Sequence, residues 1–407
     1  MRHHLIWPTA FFFLSVPVFS QALSLNQAIE SSLQKNIELY RIDQDYDNQL
    51  AEGIEMQASD NPRLEIDYLK QSVGGGTGYE IELTQPIKRS QLSRARSFYA
   101  QIMAKTADIE KQYEIFQLAN QTSLIYVEVW SLQEHAHLYE STANEAKLME
   151  KKVKASASQG QMSLAATYLF SSDAAKLHAD STAAEVALRQ KKITLAQMIG
   201  YDNKHFNLEA PALASLPSED VLFAFAQRRA TFKNVLKQRV QSAAARLKVA
   251  DADGKYPTLT PKLLYSHSPD NSDDLYGIGI GFEVPLWNDN QAERKRAQAA
   301  LVRAKSESEL LDGQPQREVI SALRENTERL SARVLDYSRQ ILPGYRKAYE
   351  LTQQMFQQGQ ASAIEVWQVR EKLIDSEEEA LEAMLQAMNA KAQLELQLGG
   401  RLEEVTP

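Results

Sequence analysis

Cysteine is absent from the chain, which excludes disulfides, thiolate chemistry, cysteine-ligated metals and lipid attachment to an N-terminal cysteine. Glycine and proline are sparse, 16 and 13 in 407 residues, too few for a disordered or linker-dominated protein. Positive charge is not in excess either. The net charge of −8 argues against nucleic acid as a partner, whose phosphates require clustered Lys and Arg. Beyond the N-terminal segment no apolar run approaches the roughly 20 residues of a membrane-spanning helix, so any membrane crossed must be crossed by strands. Catalytic sets are missing as well. The histidines are His3, His4, His135, His137, His178, His205 and His267. His135 and His137 stand two apart in a predicted helix, about 200° apart around its axis, and read as packing residues rather than a chelate. Gly277-x-Gly279-x-Gly281 lies inside a predicted strand, and the glycines from Gly74 to Gly78 precede no Lys-Ser/Thr, so neither cradles a phosphate. No enzyme activity, cofactor or metal site is expected.

What is present favours helix: Ala, Leu, Gln, Glu and Lys dominate. At the N-terminus Arg2, His3 and His4 precede an apolar run from Leu5 to Phe19, then the small residues Ser20 and Ala22. This is the three-part layout of a secretory signal peptide over residues 1–22, with cleavage after Ser20 or Ala22; an N-terminal membrane anchor is the alternative.

A duplication organises the rest. Gly78 and Gly277, Pro86 and Pro285, Gly160 and Gly359, and Gly200 and Gly399 are all 199 residues apart. Nearer the front of each half the offset is 198, pairing Ala28 with Ala226 and Asn36 with Asn234. So long a period implies duplication of a whole unit rather than a solenoid. The first repeat is expected over 23–200, a linker over 201–217, the second repeat over 218–400 and a tail over 401–407. Each repeat opens with an amphipathic helix, Leu25 to Gln57 and then Ser218 to Asp253. Two strands follow, 62–73 and 77–85 in the first repeat and 257–267 and 274–284 in the second. A very long helix, a glycine-containing tip turn (158–163 and 357–362) and another long helix complete each unit.

The strands alternate. Leu64, Ile66 and Tyr68 oppose Arg63, Glu65 and Asp67, while Tyr79, Ile81 and Leu83 oppose Glu80, Glu82 and Thr84. In the fourth strand Tyr276, Ile278, Ile280, Phe282 and Val284 oppose Gly277, Gly279, Gly281 and Glu283. Four such strands match tilted spans of a membrane barrel or a small sheet packed on a soluble core. They cannot close a barrel alone, so the membrane reading requires several chains to share one. The helices carry coiled-coil seams, Ile320, Leu323, Thr327, Leu330, Val334, Tyr337 and Ile341 in one and Ile125, Val129, Leu132, Ala136, Tyr139, Ala143 and Ala146 in the other. A continuous helix from Gln91 to Ala155 would be about 100 Å long; Pro343 is a point for a kink in the second copy.

The strand exits Leu83-Thr84-Gln85-Pro86-Ile87 and Phe282-Glu283-Val284-Pro285-Leu286 pair with two tip turns, Gly160-Gln161-Met162-Ser163 and Gly359-Gln360-Ala361-Ser362-Ala363-Ile364-Glu365-Val366. With these the chain resembles the TolC family of outer-membrane efflux channels. The second tip has the family's Gly-x-x-Ser-x-x-acidic-Val pattern; the first has Ala166 where the second has Glu365. The compact chain, Asn61-Pro62 opening the first strand and the Thr84-Gln85-Pro86 exit are similar to CzcC-type heavy-metal efflux components, although Arg89-Ser90-Gln91 replaces their usual Gly-Gly-Lys.

The resemblance implies a mainly α, duplicated fold with a small β part: a homotrimer with a periplasmic helical barrel and a shared twelve-stranded transmembrane β-barrel. It implies an outer-membrane location in a Gram-negative bacterium. Its partners would be a periplasmic adaptor (membrane fusion) protein, an inner-membrane efflux pump of RND type and outer-membrane lipid. Tyr79, Ile81, Leu83, Tyr276, Ile278, Ile280 and Phe282 would face lipid, and Glu65, Asp67, Glu80, Glu82 and Glu283 the lumen. Pro86 and Pro285 mark the strand-to-helix exits. Gly160, Gln161, Ser163, Gly359, Gln360 and Ser362 are the candidate docking residues at the tips. Glu365 is read equally as a helix-capping acid or as part of a cation-attracting constriction. The run Lys147 to Lys154 reads as a solvated helix face, with adaptor contact as the alternative. The function expected is a passive exit duct of a tripartite efflux system, with metal cations as substrate. Drugs or other organic substrates, or a soluble periplasmic coiled-coil scaffold, are the alternatives.

Overall fold

A computed structural model describes residues 22–70, 77–160, 162–201, 206–213, 215–229, 231–256, 258–267, 274–282, 289–312 and 316–405. Residues 1–21 of the expected signal peptide, the glycines at 74–76, Gln161, Glu283 and Pro285 lie outside the described residues.

The fold is mostly helical, with one four-stranded antiparallel sheet. The first repeat runs α1 (Leu25–Lys35), α2 (Ile37–Gln57), β1 (Arg63–Lys70), β2 (Thr77–Thr84), α3 (Ser90–Ser158) and α4 (Leu164–Ile199). The second runs α5 (Glu219–Arg228), α6 (Phe232–Lys255), β3 (Leu259–His267), β4 (Asp274–Phe282), α7 (Gln291–Asp312), α8 (Gln316–Asp336), a π-turn (Tyr337–Ile341), α9 (Leu342–Gln357) and α10 (Ala363–Leu398).

Each repeat opens with two helices, where the apolar periodicity predicts one. Asn36 adopts an extended conformation (φ −70°, ψ 135°), ends α1, and accepts from the Glu38 N–H to cap α2. Thr231 does the same for α6, accepting from the Asn234 N–H at 3.3 Å. Small polar side chains substitute for helix-end partners, and such breaks leave the apolar spacing intact. Ala28 and Ala226, paired by the repeat, are both fully buried.

The duplication is visible in the backbone. Gly160 and Gly359 both have φ +73°, and Gly200 and Gly399 have φ +63° and +68°. All four end a helix in the left-handed region, where a Cβ is strained. The two rods differ, however. α3 is one helix of 69 residues, about 100 Å at ~1.5 Å per residue. The corresponding rod of the second repeat is divided, and its π-turn ends at Ile341, two residues before Pro343. Proline lacks an N–H and its ring displaces a carbonyl one turn back; the widened turn accommodates both.

α3 is the member on which the rest is assembled. Its central stretch contributes Tyr126, Val127, Val129 and Trp130 to a core with Leu195 and Ile199 of α4, Met384 and Met388 of α10, and Leu23, Phe206 and Leu208 outside the helices. A large side chain buried there contributes about 1.5–3 kcal/mol. Polar contacts fix the alignment. The Tyr126 hydroxyl lies 2.7 Å from the Leu23 carbonyl and 2.8 Å from that of Glu209. Gln133 pairs with both peptide groups of Leu208, donating at 3.1 Å and accepting at 3.0 Å. Asn120 Nδ2 donates to the Ala392 carbonyl of α10 at 3.0 Å.

Tyr126→Phe strips a buried donor from two carbonyls and is expected to destabilise the fold by about 1–3 kcal/mol, read as a lowered unfolding midpoint with helix content unchanged at low temperature.

Candidate functional site

Two regions at opposite ends of the rods carry the residues singled out above. The first is the sheet. Its order is β1-β2-β3-β4, and the register puts Leu64 opposite Leu83, Ile66 opposite Ile81 and Tyr68 opposite Tyr79. The parity carries on through Leu83 with Leu263 and Ile81 with Tyr265, then Leu263 with Ile278 and Tyr265 with Tyr276. One apolar face therefore spans all four strands. It is open: Tyr276 is 76% exposed, Ile278 89%, Ile280 64% and Ile66 66%. Among the described residues the helices pack chiefly on one another rather than across this sheet. Tyr68, Tyr79, Tyr265 and Tyr276 gather toward the end of the face remote from the rods, with Tyr79 and Tyr265 centroids 5.9 Å apart and Tyr265 and Tyr276 5.2 Å apart.

The other face carries the acidic residues and the β4 glycines, with Leu264 and Leu275 among them. Glu65 stands opposite Glu82 and Asp67 opposite Glu80, two directly opposed carboxylate pairs. Like charges so placed repel. Arg63 relieves Glu65 at 3.2 Å and Lys262 relieves Glu82 at 2.9 Å. Asp67 and Glu80 have no ion pair among the described residues. Gly277, Gly279 and Gly281 of β4 lie on this face beside Leu264, Lys262 and Thr260. β1 and β4 are the outer strands, each with one unpaired edge.

The exit from β2 is pinned. Gln85 N–H donates to the Pro261 carbonyl at 3.1 Å and Ile87 N–H to the Leu259 carbonyl at 2.7 Å, so pairing with β3 resumes after Pro86. Lys88 reaches back to the Ala58 carbonyl at 2.8 Å and to Asp60 at 3.2 Å.

The second region is the pair of tips. The structure brings them together: Met149, Val153 and Phe170 of the first pack with Ala363 and Val366 of the second. Ser163 and Ser362 each cap the following helix through an N–H three residues on. At the second tip the box is complete. Glu365 accepts the Ser362 N–H at 2.6 Å while its own N–H donates to Ser362 Oγ at 3.2 Å. Ala166 gives the first tip only half of this arrangement. The Ser362 backbone N–H, chiefly, holds the Glu365 carboxyl below its ordinary range. Gly160 and Gly359 have open space where a Cβ would stand, so their requirement is the positive φ alone.

Residues not singled out from the sequence join the tips. Arg370, 4% exposed, forms an ion pair with Asp173 of α4. Tyr349 of α9 donates to Glu145 of α3 at 3.0 Å and accepts from Gln353 at 2.7 Å. Burial, with Glu145 next, pushes the Tyr349 hydroxyl up to about 12. A signal existed: Arg370 follows Ala363 and Val366 on one helix stripe, and a charge on an apolar stripe calls for a buried partner.

Among the described residues no helix is long and apolar enough to cross a membrane, and no group of three or more His, Asp or Glu side chains could hold a metal ion.

Residues 226–400 match the family model described as outer membrane efflux protein, which falls on the second repeat. No curated protein matches the sequence. Crystal structures of similar fold include the outer membrane protein VceC of Vibrio cholerae, with TM-score 0.74 and 17% identity over 93% of this chain and 96% of that one. The CmeC outer membrane channel of Campylobacter jejuni aligns with TM-score 0.73 and 13% identity, over 92% and 85% of the two chains. The MtrE outer membrane channel of Neisseria gonorrhoeae, in its open state, aligns with TM-score 0.68 and 16% identity over 93% and 89%.

The capping box sets an acid response. The Glu365 pKa is lower folded than unfolded, so its contribution is complete above the unfolded value and disappears as pH falls through the folded one. Ser362→Ala is expected to cost about 1 kcal/mol locally, read as faster hydrogen exchange in the first turn of α10 at neutral pH. Because residue 362 keeps in that variant the backbone N–H that Glu365 accepts, the loss of protection under acid should persist in it.

Proposed function

We propose that the chain is an outer-membrane exit duct that does no chemistry and conducts substrate passively from periplasm to exterior as part of a tripartite efflux system. The observation that carries this is the continuous apolar face across four strands, exposed on a sheet with two free edges at the end of rods about 100 Å long. A soluble scaffold would cover such a face; among the described residues no helix packs substantially on it, and contiguous exposed apolar surface of this kind marks a membrane or partner contact. The family match to the second repeat and the fold shared with outer membrane channels support the same reading, and the internal duplication extends it to the first repeat.

In this proposal three copies close the sheet by pairing β4 of one chain with β1 of the next into twelve strands. Tyr79, Ile81, Leu83, Tyr276, Ile278, Ile280 and Phe282 face lipid. The rods form the periplasmic tube, and the tips meet a periplasmic adaptor, itself joined to an inner-membrane pump of RND type. Glu65, Asp67, Glu80 and Glu82 then line the lumen, with Glu283 continuing the polar parity in the sequence. Their excess over Arg63 and Lys262 supports a cation preference and, with the CzcC-like sequence features, metal cations as substrate. Gly160, Gln161, Ser163, Gly359, Gln360 and Ser362 are assigned to docking, and Glu365 to shaping the second tip.

Single cysteines at Tyr79, Ile278 and Phe282 are expected to react with a lipid-soluble maleimide and resist a water-soluble one in native membranes; recovery of the protein as a soluble monomer without detergent would refute the barrel. In a planar bilayer the channel should prefer cations. Replacing Glu65, Asp67, Glu80 and Glu82 by their amides should lower the cation-to-anion permeability ratio several-fold, and an unchanged ratio would remove these residues from the lumen.

A further inference from the structure

A groove between α3, α9 and α10 lies apart from both the sheet and the tip turns. Its volume is about 420 Å³, within the usual range for a small-molecule site. On α3 it is lined by Glu134, His137, Leu138 and Ser141, whose steps of three, four and seven put them on one side of the helix. α10 contributes Glu377 and Leu381. Leu342 and Arg346 come from the base of α9, where the π-turn ends. About one turn nearer the tips, the hydrogen bond from Tyr349 to Glu145 joins the same α9 and α3.

The charges in this groove do not balance. Arg346 is committed to Glu377, with Nη2 and Nε at 2.8 and 3.1 Å from one carboxylate oxygen. That leaves Glu134 in excess. It has no ion pair among the described residues, and Gln133 Nε2 meets it only at 3.4 Å. The adjacent carboxylates of α10 are engaged elsewhere, Glu378 by Tyr139 and Glu379 by Tyr337. The Ser141 hydroxyl donates to the Leu138 carbonyl at 3.0 Å, which leaves its oxygen as an acceptor. A half-buried carboxylate with no counter-charge, beside a free acceptor, selects a cation that carries N–H donors. Leu138, Leu342 and Leu381 are each only partly covered, so an apolar body gains burial against them. A bare metal ion would lack ligands here, since no three His, Asp or Glu side chains among the described residues could hold one.

We propose that this groove binds a small organic monocation with an apolar body. Its ammonium lies against Glu134 and Ser141, and its body covers the three leucines. Those leucines belong to three different helices, so an occupant ties the base of α9 to α3 and α10. α9 has no fully buried residue of its own, which makes it the member such a tie affects most. Occupied, the groove braces the divided rod beside its π-turn. This inference goes beyond the exit-duct reading and does not depend on it.

The test titrates the full-length protein in lipid nanodiscs, with empty nanodiscs as the blank. The probes are 4-butylbenzylammonium and 4-butylbenzoate, which share an apolar body and differ in the sign of their charge. The ammonium should bind at least ~10-fold tighter in 0.1 M salt. Glu134→Gln keeps the side-chain shape and should weaken ammonium binding at least ~5-fold, with the unfolding midpoint unchanged. Hydrogen exchange over residues 337–346 should slow when the ammonium saturates the wild type. Binding of neither probe, equal binding, preference for the benzoate, full ammonium affinity in Glu134→Gln, or binding without slower exchange at 337–346 would each overturn the proposal. Bilayer conductance reads the duct separately: a conducting protein that binds neither probe keeps the duct and loses this site.

Discussion

A main-chain N–H or C=O without a partner costs several kcal/mol in hydrocarbon, and β1 and β4 each present a row of them at the sheet edges. This constraint governs the rest. One chain cannot satisfy both edges, because four strands do not curve into a closed cylinder. An apolar face open across a whole sheet also marks a surface that another molecule or a membrane covers. In the proposed assembly, pairing β4 with β1 of another copy would remove both liabilities at once, and the unbroken side-chain parity from β1 to β4 would keep the apolar faces of the copies aligned.

The helices answer a different requirement, that of holding two distant regions in fixed relation. α3 does this by carrying buried polar contacts at intervals along one rod: Asn120 to α10, Tyr126 to the segment before α1, and Gln133 to the linker. Each binds a backbone group rather than a side chain. Such contacts leave little freedom in the height at which neighbouring segments attach, whereas apolar packing alone tolerates sliding. Toward the tips the pattern changes to side-chain pairs, Arg370 with Asp173 and Tyr349 with Glu145. α9 has no fully buried residue, so its attachment depends on these pairs and on partly covered Tyr349 and Phe356.

Much of this was legible in the sequence because its signals are periodic. Period two gave the strand faces, the steps of three and four gave the rods, and the glycines at 160, 200, 359 and 399 marked left-handed helix ends. Two features were hidden by the same periodicity. Asn36 interrupts a helix without disturbing apolar spacing, since α1 and α2 both pack on α3, whereas Thr231 stands where the chain changes partners, α5 packing on α8 and α10 and α6 on α3 and α7. The π-turn at Tyr337–Ile341 keeps Tyr337 on its seam and shows in the sequence only as Pro343. The tip region was half legible. Gly359, Ser362 and Glu365 form a recognisable run, but that Glu365 faces its own backbone, and that Phe170 meets Val366, depends on how two distant turns dock. No local pattern encodes that.

The two rods have the same residue count despite their different construction. Gly160 lies 74 residues beyond Pro86, and Gly359 lies 74 beyond Pro285. A helix converts count into height and azimuth, about 1.5 Å and 100° per residue. Deleting one residue from α3 would therefore lift its tip and turn Phe170 away from Val366, although no contact had been mutated. The duplication behaves as a vernier: two scales of equal count, read against each other at the tips, tolerate substitution far better than they tolerate a change of length.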